Sequence, residues 1–222
     1  MNENRISRNN YIANQFSDLL KTSVLNIGGG GKKHLQSFLP ASTYYTELDI
    51  AGTPDVNINL EKECPIPIAD NAFETVVCTG MLEHLDNFHE VFDELLRVSS
   101  KWVIISLPNC LCEIHSFWKP NGAYPGKKSG ITRGRFLKFY GLPAEIPEDR
   151  HKWFFTYSEA QAFMEYHAKE KCFQLEQMFP TRLETNSRKE NIKRFLHKLA
   201  LPKRVYLDLY SATFWCVLRV GN

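Results

Sequence analysis

Four consecutive glycines, Gly28 to Gly31, follow directly on the apolar run Val24-Leu25-Asn26-Ile27. Glycines at the end of a strand let the backbone turn tightly and leave bare main chain for a ligand to lie against. The next β-branched and aromatic run, residues 43–48, closes on Asp49, nineteen residues past Gly30. A glycine loop followed about 20 residues later by a carboxylate is the general arrangement that holds a nucleoside cofactor in a doubly wound sheet, the acid accepting from two ribose hydroxyls.

The rest of the chain continues the alternation of strand and helix that this start demands. A first amphipathic helix is expected over residues 11–20, with Ile12, Phe16, Leu19 and Leu20 at helical spacing. Leu35, Phe38 and Leu39 mark a brief helix that Pro40 stops. Residues 56–60 read as a short edge strand. Residues 73–78 are nearly all apolar, as a strand covered on both faces should be. Asn87 and Glu90 form a capping-box pattern ahead of the stripe Phe88, Val91, Phe92, Leu95 and Leu96. Residues 102–107 give a fifth strand ended by Pro108, Ser158 and Gln161 read as the cap of another helix, and 173–179 and 212–220 are the last two strands.

Two segments break the rhythm. Residues 109–155, after the fifth strand, far exceed the usual 2–6 residue connection, and residues 180–209 separate the last two strands with a basic helix around 190–199. The 222 residues therefore read as one domain, 1–222, with 109–155 as a cap insertion and 180–209 as a smaller one. A formal net charge of +2 gives no electropositivity on the scale of a nucleic-acid binder. No run approaches the roughly 20 apolar residues that span a bilayer, and the polar start has no secretory core. Six scattered cysteines suggest buried, reduced thiols and a cytoplasmic protein; nothing in the sequence specifies an oligomer.

The cofactor class follows from what lies downstream. A dinucleotide fingerprint needs a third glycine where Lys33 stands, which counts against a nicotinamide-dependent oxidoreductase. Asn59-Leu60, then Pro65-Ile66-Pro67-Ile68-Ala69-Asp70-Asn71-Ala72-Phe73-Glu74, then Met81-Leu82-Glu83-His84-Leu85 resemble the class I S-adenosylmethionine-dependent methyltransferases, and within them the methyltransferase type 11 group. The resemblance implies an α/β, Rossmann-like seven-stranded sheet, mostly parallel with an antiparallel last strand, helices on both faces and a cap insertion after strand 5. It implies S-adenosyl-L-methionine as cofactor, with Asn26, Gly28, Gly29 and Gly30 around its methionine part. Asp49 would hold the ribose, Ile50, Asn59 and Leu60 would flank the adenine, and Thr79 and Gly80 would line the floor. The family usually has an acid where Asn26 stands, a glycine where Lys32 stands and an Asp where Asn59 stands. Those departures keep a non-catalytic binding or scaffold protein of the same fold as an alternative.

Methyl transfer to a hydroxyl needs a base, and His84 and His151 suit neutral pH. Their spacing in the sequence is not that of a metal site, so no metal is expected. The insertion interleaves aromatic residues with lysines and arginines. Aromatic faces stack on sugars or bases, and Arg and Lys hold phosphate, so Tyr124, Arg133, Arg135, Arg150 and Trp153 are the expected acceptor contacts. The expected acceptor is a small molecule, phosphate-bearing or carbohydrate-like, such as a sugar, sugar nucleotide or glycan precursor methylated on oxygen.

Overall fold

A computed structural model describes residues 2–117, 150–171, 173–182 and 187–221. Its sheet has seven strands in the order β3-β2-β1-β4-β5-β7-β6. They are β1 (Ser23–Ile27), β2 (Tyr44–Asp49), β3 (Val56–Asn57), β4 (Phe73–Thr79), β5 (Ser99–Pro108), β6 (Gln174–Arg182) and β7 (Ser211–Arg219). β1 pairs in parallel with β2 and β4, β2 with β3, and β4 with β5. β7 runs antiparallel to both β5 and β6, so the last strand alone is reversed, as expected.

Alternate residues of the strands point to opposite faces and build two cores. Leu25, Ile27, Val76, Cys78, Val103, Ile105, Phe214 and Cys216 meet the helices α2 (Phe88–Val98) and α4 (Tyr157–Glu170) on one face. Val24, Val77, Ile104, Trp215 and Val217 meet Ile12, Phe16 and Leu20 on the other. That second face is covered by α1 (Asn2–Gln15) and by the 3-10 turn Gln36–Phe38, on whose N-terminal flank Leu35 is fully buried. α3 (Cys110–Phe117) opens the long insertion, and α5 (Arg188–Ala200) and α6 (Lys203–Tyr210) fill the connection from β6 to β7. α5 leaves Ile192, Phe195, Leu196 and Leu199 exposed. Among the described residues, no helix is long and apolar enough to cross a membrane. Among the described cysteines, Cys78, Cys110, Cys112 and Cys216 are buried and Cys64 is partly buried.

Several local expectations are corrected. The first helix begins nine residues earlier than its apolar periodicity and gives way to a 3-10 turn at Ser17–Leu19. Asn87 precedes α2 without capping it; its amide donates to the Leu60 carbonyl (2.9 Å), tying α2 to the loop after β3. α4 is capped by Thr156 with Glu159, two residues before the Ser158 and Gln161 pattern, because Thr156 is the residue left in extended backbone. β3 holds only two residues, since Asn59 turns the chain: its carbonyl accepts from Lys62 and Glu63 N–H and its side-chain oxygen from Glu61 N–H. β6 runs on to Arg182, so its connection to β7 starts later than residue 180.

Candidate functional site

Strand order reverses between β1 and β4, and in open α/β sheets ligands bind at the carboxyl ends of the strands where that happens. Both strands end there in glycine. Gly28, Gly30, Gly31 and Gly80 all have positive φ, a region open to glycine at no steric cost. Space forbids side chains as well. A Cβ on Gly28 would lie 2.7 Å from Met81 Cγ, and one on Gly29 would lie 2.7 Å from the Glu47 carboxyl carbon. Side chains at Gly30 and Gly80 would run into the guanidinium groups of Arg5 and Arg8, which α1 lays over the two loops.

Asp49 holds this loop from the end of β2. Its Oδ2 accepts from Gly30 N–H (2.6 Å) and its Oδ1 from Ala51 N–H (2.8 Å), while Gly28 N–H donates to the Leu48 carbonyl (2.9 Å). A carboxylate oxygen has two acceptor lone pairs, so each oxygen of Asp49 retains one for a ligand. Ile50 beside it is 61% exposed. Thr79 is buried at the end of β4, and Gly80 N–H donates to the Ser106 carbonyl (3.0 Å). Leu60 points into the core, and the Asn59 side chain is spent on its own turn. Lys33 pairs with Asp55.

Asn26 is the departure with the clearest physical account. It faces Glu47 across the β1–β2 ladder, and its amide donates to the Tyr45 hydroxyl (2.9 Å), which donates to Glu47 Oε2 (2.7 Å). Glu47 is fully buried, and its Oε1 has no hydrogen-bond partner among the described residues. The acid expected on β1 thus stands one strand over, beneath Gly29. Glu47 is one of two carboxylates in β2, and its pairing with Asn26 across the ladder singles it out.

The second cluster follows β4. Glu83 and His84 lie on the 3-10 turn Leu82–His84, and His151 arrives from the far end of the insertion. The His84 and His151 rings meet edge to face with centroids 4.6 Å apart. Glu83 is 3% exposed, and burial pushes its carboxyl up to about 7, against the opposing pull of His84 and Arg8. The return of the insertion is stitched to this turn. His84 Nδ1 lies 3.1 Å from the Arg150 carbonyl, Lys152 N–H donates to the Glu83 carbonyl (2.8 Å), and Trp153 Nε1–H to the Leu85 carbonyl (2.7 Å). Trp153 packs its ring against Phe88 and His89. The two histidines chosen from the sequence are therefore brought together, with Glu83 as an unforeseen third member. Tyr124, Arg133 and Arg135 lie outside the described residues.

Comparison with known proteins agrees with this geometry. Residues 25–107 match the model of a methyltransferase domain family. No curated protein matches the sequence. Three solved structures share the fold over nearly the whole chain. A Bacillus halodurans C-125 protein classed among methyltransferases is 13% identical, with a TM-score of 0.56, over 98% of this chain and 99% of its own. A SAM-dependent methyltransferase of Methanosarcina mazei is 12% identical, TM-score 0.53, over 93% of this chain and 96% of its own. Magnesium protoporphyrin IX methyltransferase from Synechocystis PCC 6803, solved with bound SAH, is 12% identical, TM-score 0.52, over 99% of this chain and 82% of its own. Over residues 25–107, the stretch that carries the glycine loop and Asp49, the chain is thus similar to a methyltransferase domain, and its fold is the one these structures share.

Proposed function

We propose that the chain binds S-adenosylmethionine across the carboxyl ends of β1, β2 and β4 and methylates an oxygen of a small, phosphate-bearing or carbohydrate-like acceptor. The observation that carries the cofactor reading is the clasp of Asp49 on Gly30, which sets an acid with spare lone pairs beside a loop too tight for side chains. Asp49 would take the ribose hydroxyls, Gly28 to Gly30 the methionine part, and Glu47 would lend negative potential beneath the loop for the cationic end. Bound there, the cofactor supplies an electrophilic methyl group. The chain's own task is then to hold an acceptor in line and handle its proton.

Glu83 and His84 follow Gly80 just after β4, with the His151 ring against His84, which supports giving these residues the second task. The acceptor class rests on the insertion, whose aromatic and basic residues suit sugars and phosphates. Its C-terminal end, residues 150–155, is fixed against the β4–α2 turn beside the site.

Thermal shift tests the cofactor. Ligand that binds only the native state raises the melting temperature, and S-adenosylmethionine and S-adenosylhomocysteine should do so where nicotinamide dinucleotides do not. A shift with the nicotinamides alone would reject the proposal. Transfer of labelled methyl from S-adenosylmethionine to a panel of sugar nucleotides then tests the acceptor class.

A further inference from the structure

We propose that Glu83, His84 and His151 form a binding site for a divalent first-row transition ion of the zinc or manganese kind, at the carboxyl end of β4. One ligand atom from each residue lies within 4.8 Å of the others. Two imidazoles and one carboxylate, leaving positions open, are a donor set that suits such ions.

The hydrogen bonding points the same way. A carbonyl oxygen only accepts, so His84 Nδ1, 3.1 Å from the Arg150 carbonyl, carries its ring proton. In the neutral imidazole that leaves Nε2 with a lone pair, the orientation that outer-shell carbonyls impose on metal-binding histidines. Nε2 lies 3.9 Å from Glu83 Oε1. That gap is too long for a hydrogen bond but near the roughly 3–3.5 Å that separates neighbouring ligands on an ion bound at about 2.1 Å. A cation between Nε2 and Oε1 would be held by a lone pair from each. Glu83 Oε2, in a side chain 3% exposed, has no hydrogen-bond partner among the described residues.

Three protein ligands leave room for water or for an acceptor oxygen. This part rests on the methyltransferase reading: an ion there would lower the affinity of an acceptor hydroxyl for its proton, which leaves to water, and so ready the oxygen for attack. Binding of the ion itself does not depend on that role.

The test is calorimetric titration of the chelator-treated full chain with ZnCl2 and MnCl2, with S-adenosylhomocysteine titrated into the same samples. We expect one ion per chain, tenfold or greater loss of ion affinity in His84→Ala and in His151→Ala, and retained adenosyl binding in both. Co²⁺ substitution should give visible d–d absorption that the variants lose. No ion binding by the native chain, or native affinity retained in both variants, overturns the site. Because His151 lies outside any helix or strand, His151→Ala keeps the test decisive if His84→Ala fails to fold. Adenosyl binding without ion binding would sink the metal site alone, and the reverse would sink the cofactor reading alone.

Discussion

Asn26 and Glu47 face each other across β1 and β2, joined through the Tyr45 hydroxyl, which accepts from one and donates to the other. The phenol has a single proton, and Glu47 receives it. An amide at position 26 supplies a donor where an acid would not, and burial together with the Glu47 carboxylate raises the Tyr45 pKa. Asn26→Asp should therefore destabilise the protein by about 3 kcal/mol at neutral pH, through a lost hydrogen bond and a second buried carboxylate. Glu47→Gln in the same chain should restore at least half of that, because the Tyr45 proton can then turn to Asp. Urea denaturation of the two single variants and the double variant measures this coupling; additive effects would refute it.

Asp49 serves the loop before it serves a ligand, since Gly30 and Ala51 N–H both donate to it. Asp49→Asn leaves one acceptor oxygen, and Asp49→Ala leaves none. Loss of hydrogen bonds to a charged group should cost the alanine variant on the order of 2 kcal/mol, with the asparagine variant in between. The thermal shift produced by S-adenosylhomocysteine should shrink in the same order. An undiminished shift in Asp49→Ala would show that the ribose is held elsewhere.

The glycine loop, Asp49 and the alternation of strand and helix were legible in the sequence because each depends on local pattern: apolar runs, glycines at their ends, and spacing. Glu47 was not legible as part of the site. Its role comes from register, which sets it opposite Asn26, and register is a property of two strands rather than one. His84 and His151 could be picked out singly by their chemistry, but 66 residues separate His84 from its Arg150 partner and only folding brings the insertion's end back to β4. Asn87 and Ser158 failed as caps for a related reason. Short polar patterns near a helix start are common, and the residue in extended backbone, Thr156 for α4, is the one that caps.

Glu83 should make stability depend on pH. Its folded carboxyl titrates at about 7, well above a free glutamate, so the native state binds the proton more tightly than the unfolded chain does. Its contribution is most favourable below the unfolded value and is lost as pH rises from about 4.5 to 7. The loss amounts to about 3 kcal/mol once the carboxyl is ionised on both sides of the transition. In chelator, Glu83→Gln should match the native chain near pH 4.5 and exceed its melting temperature by several degrees at pH 8. A constant difference across that range would remove Glu83 as the titrating group.

Trp153 distinguishes two roles that predict opposite measurements. As an acceptor contact it would stack on a ligand, and Trp153→Phe would raise the acceptor KM with little effect on stability. The structure gives it other work: its indole N–H donates to the Leu85 carbonyl at 2.7 Å, and its ring packs on Phe88 at the start of α2. Phenylalanine keeps the ring contact and drops the donor, leaving a partly buried carbonyl without its partner. The expected loss is about 1 kcal/mol. Neighbouring Lys152 bridges Glu61 and Asp86, but Asp86 is 76% exposed, so that ion pair is screened by water and Lys152→Ala should cost less than Trp153→Phe. Urea midpoints for both variants settle the order. If Trp153→Phe leaves the midpoint unchanged while acceptor KM rises, Trp153 is a ligand contact and the insertion is anchored by other bonds.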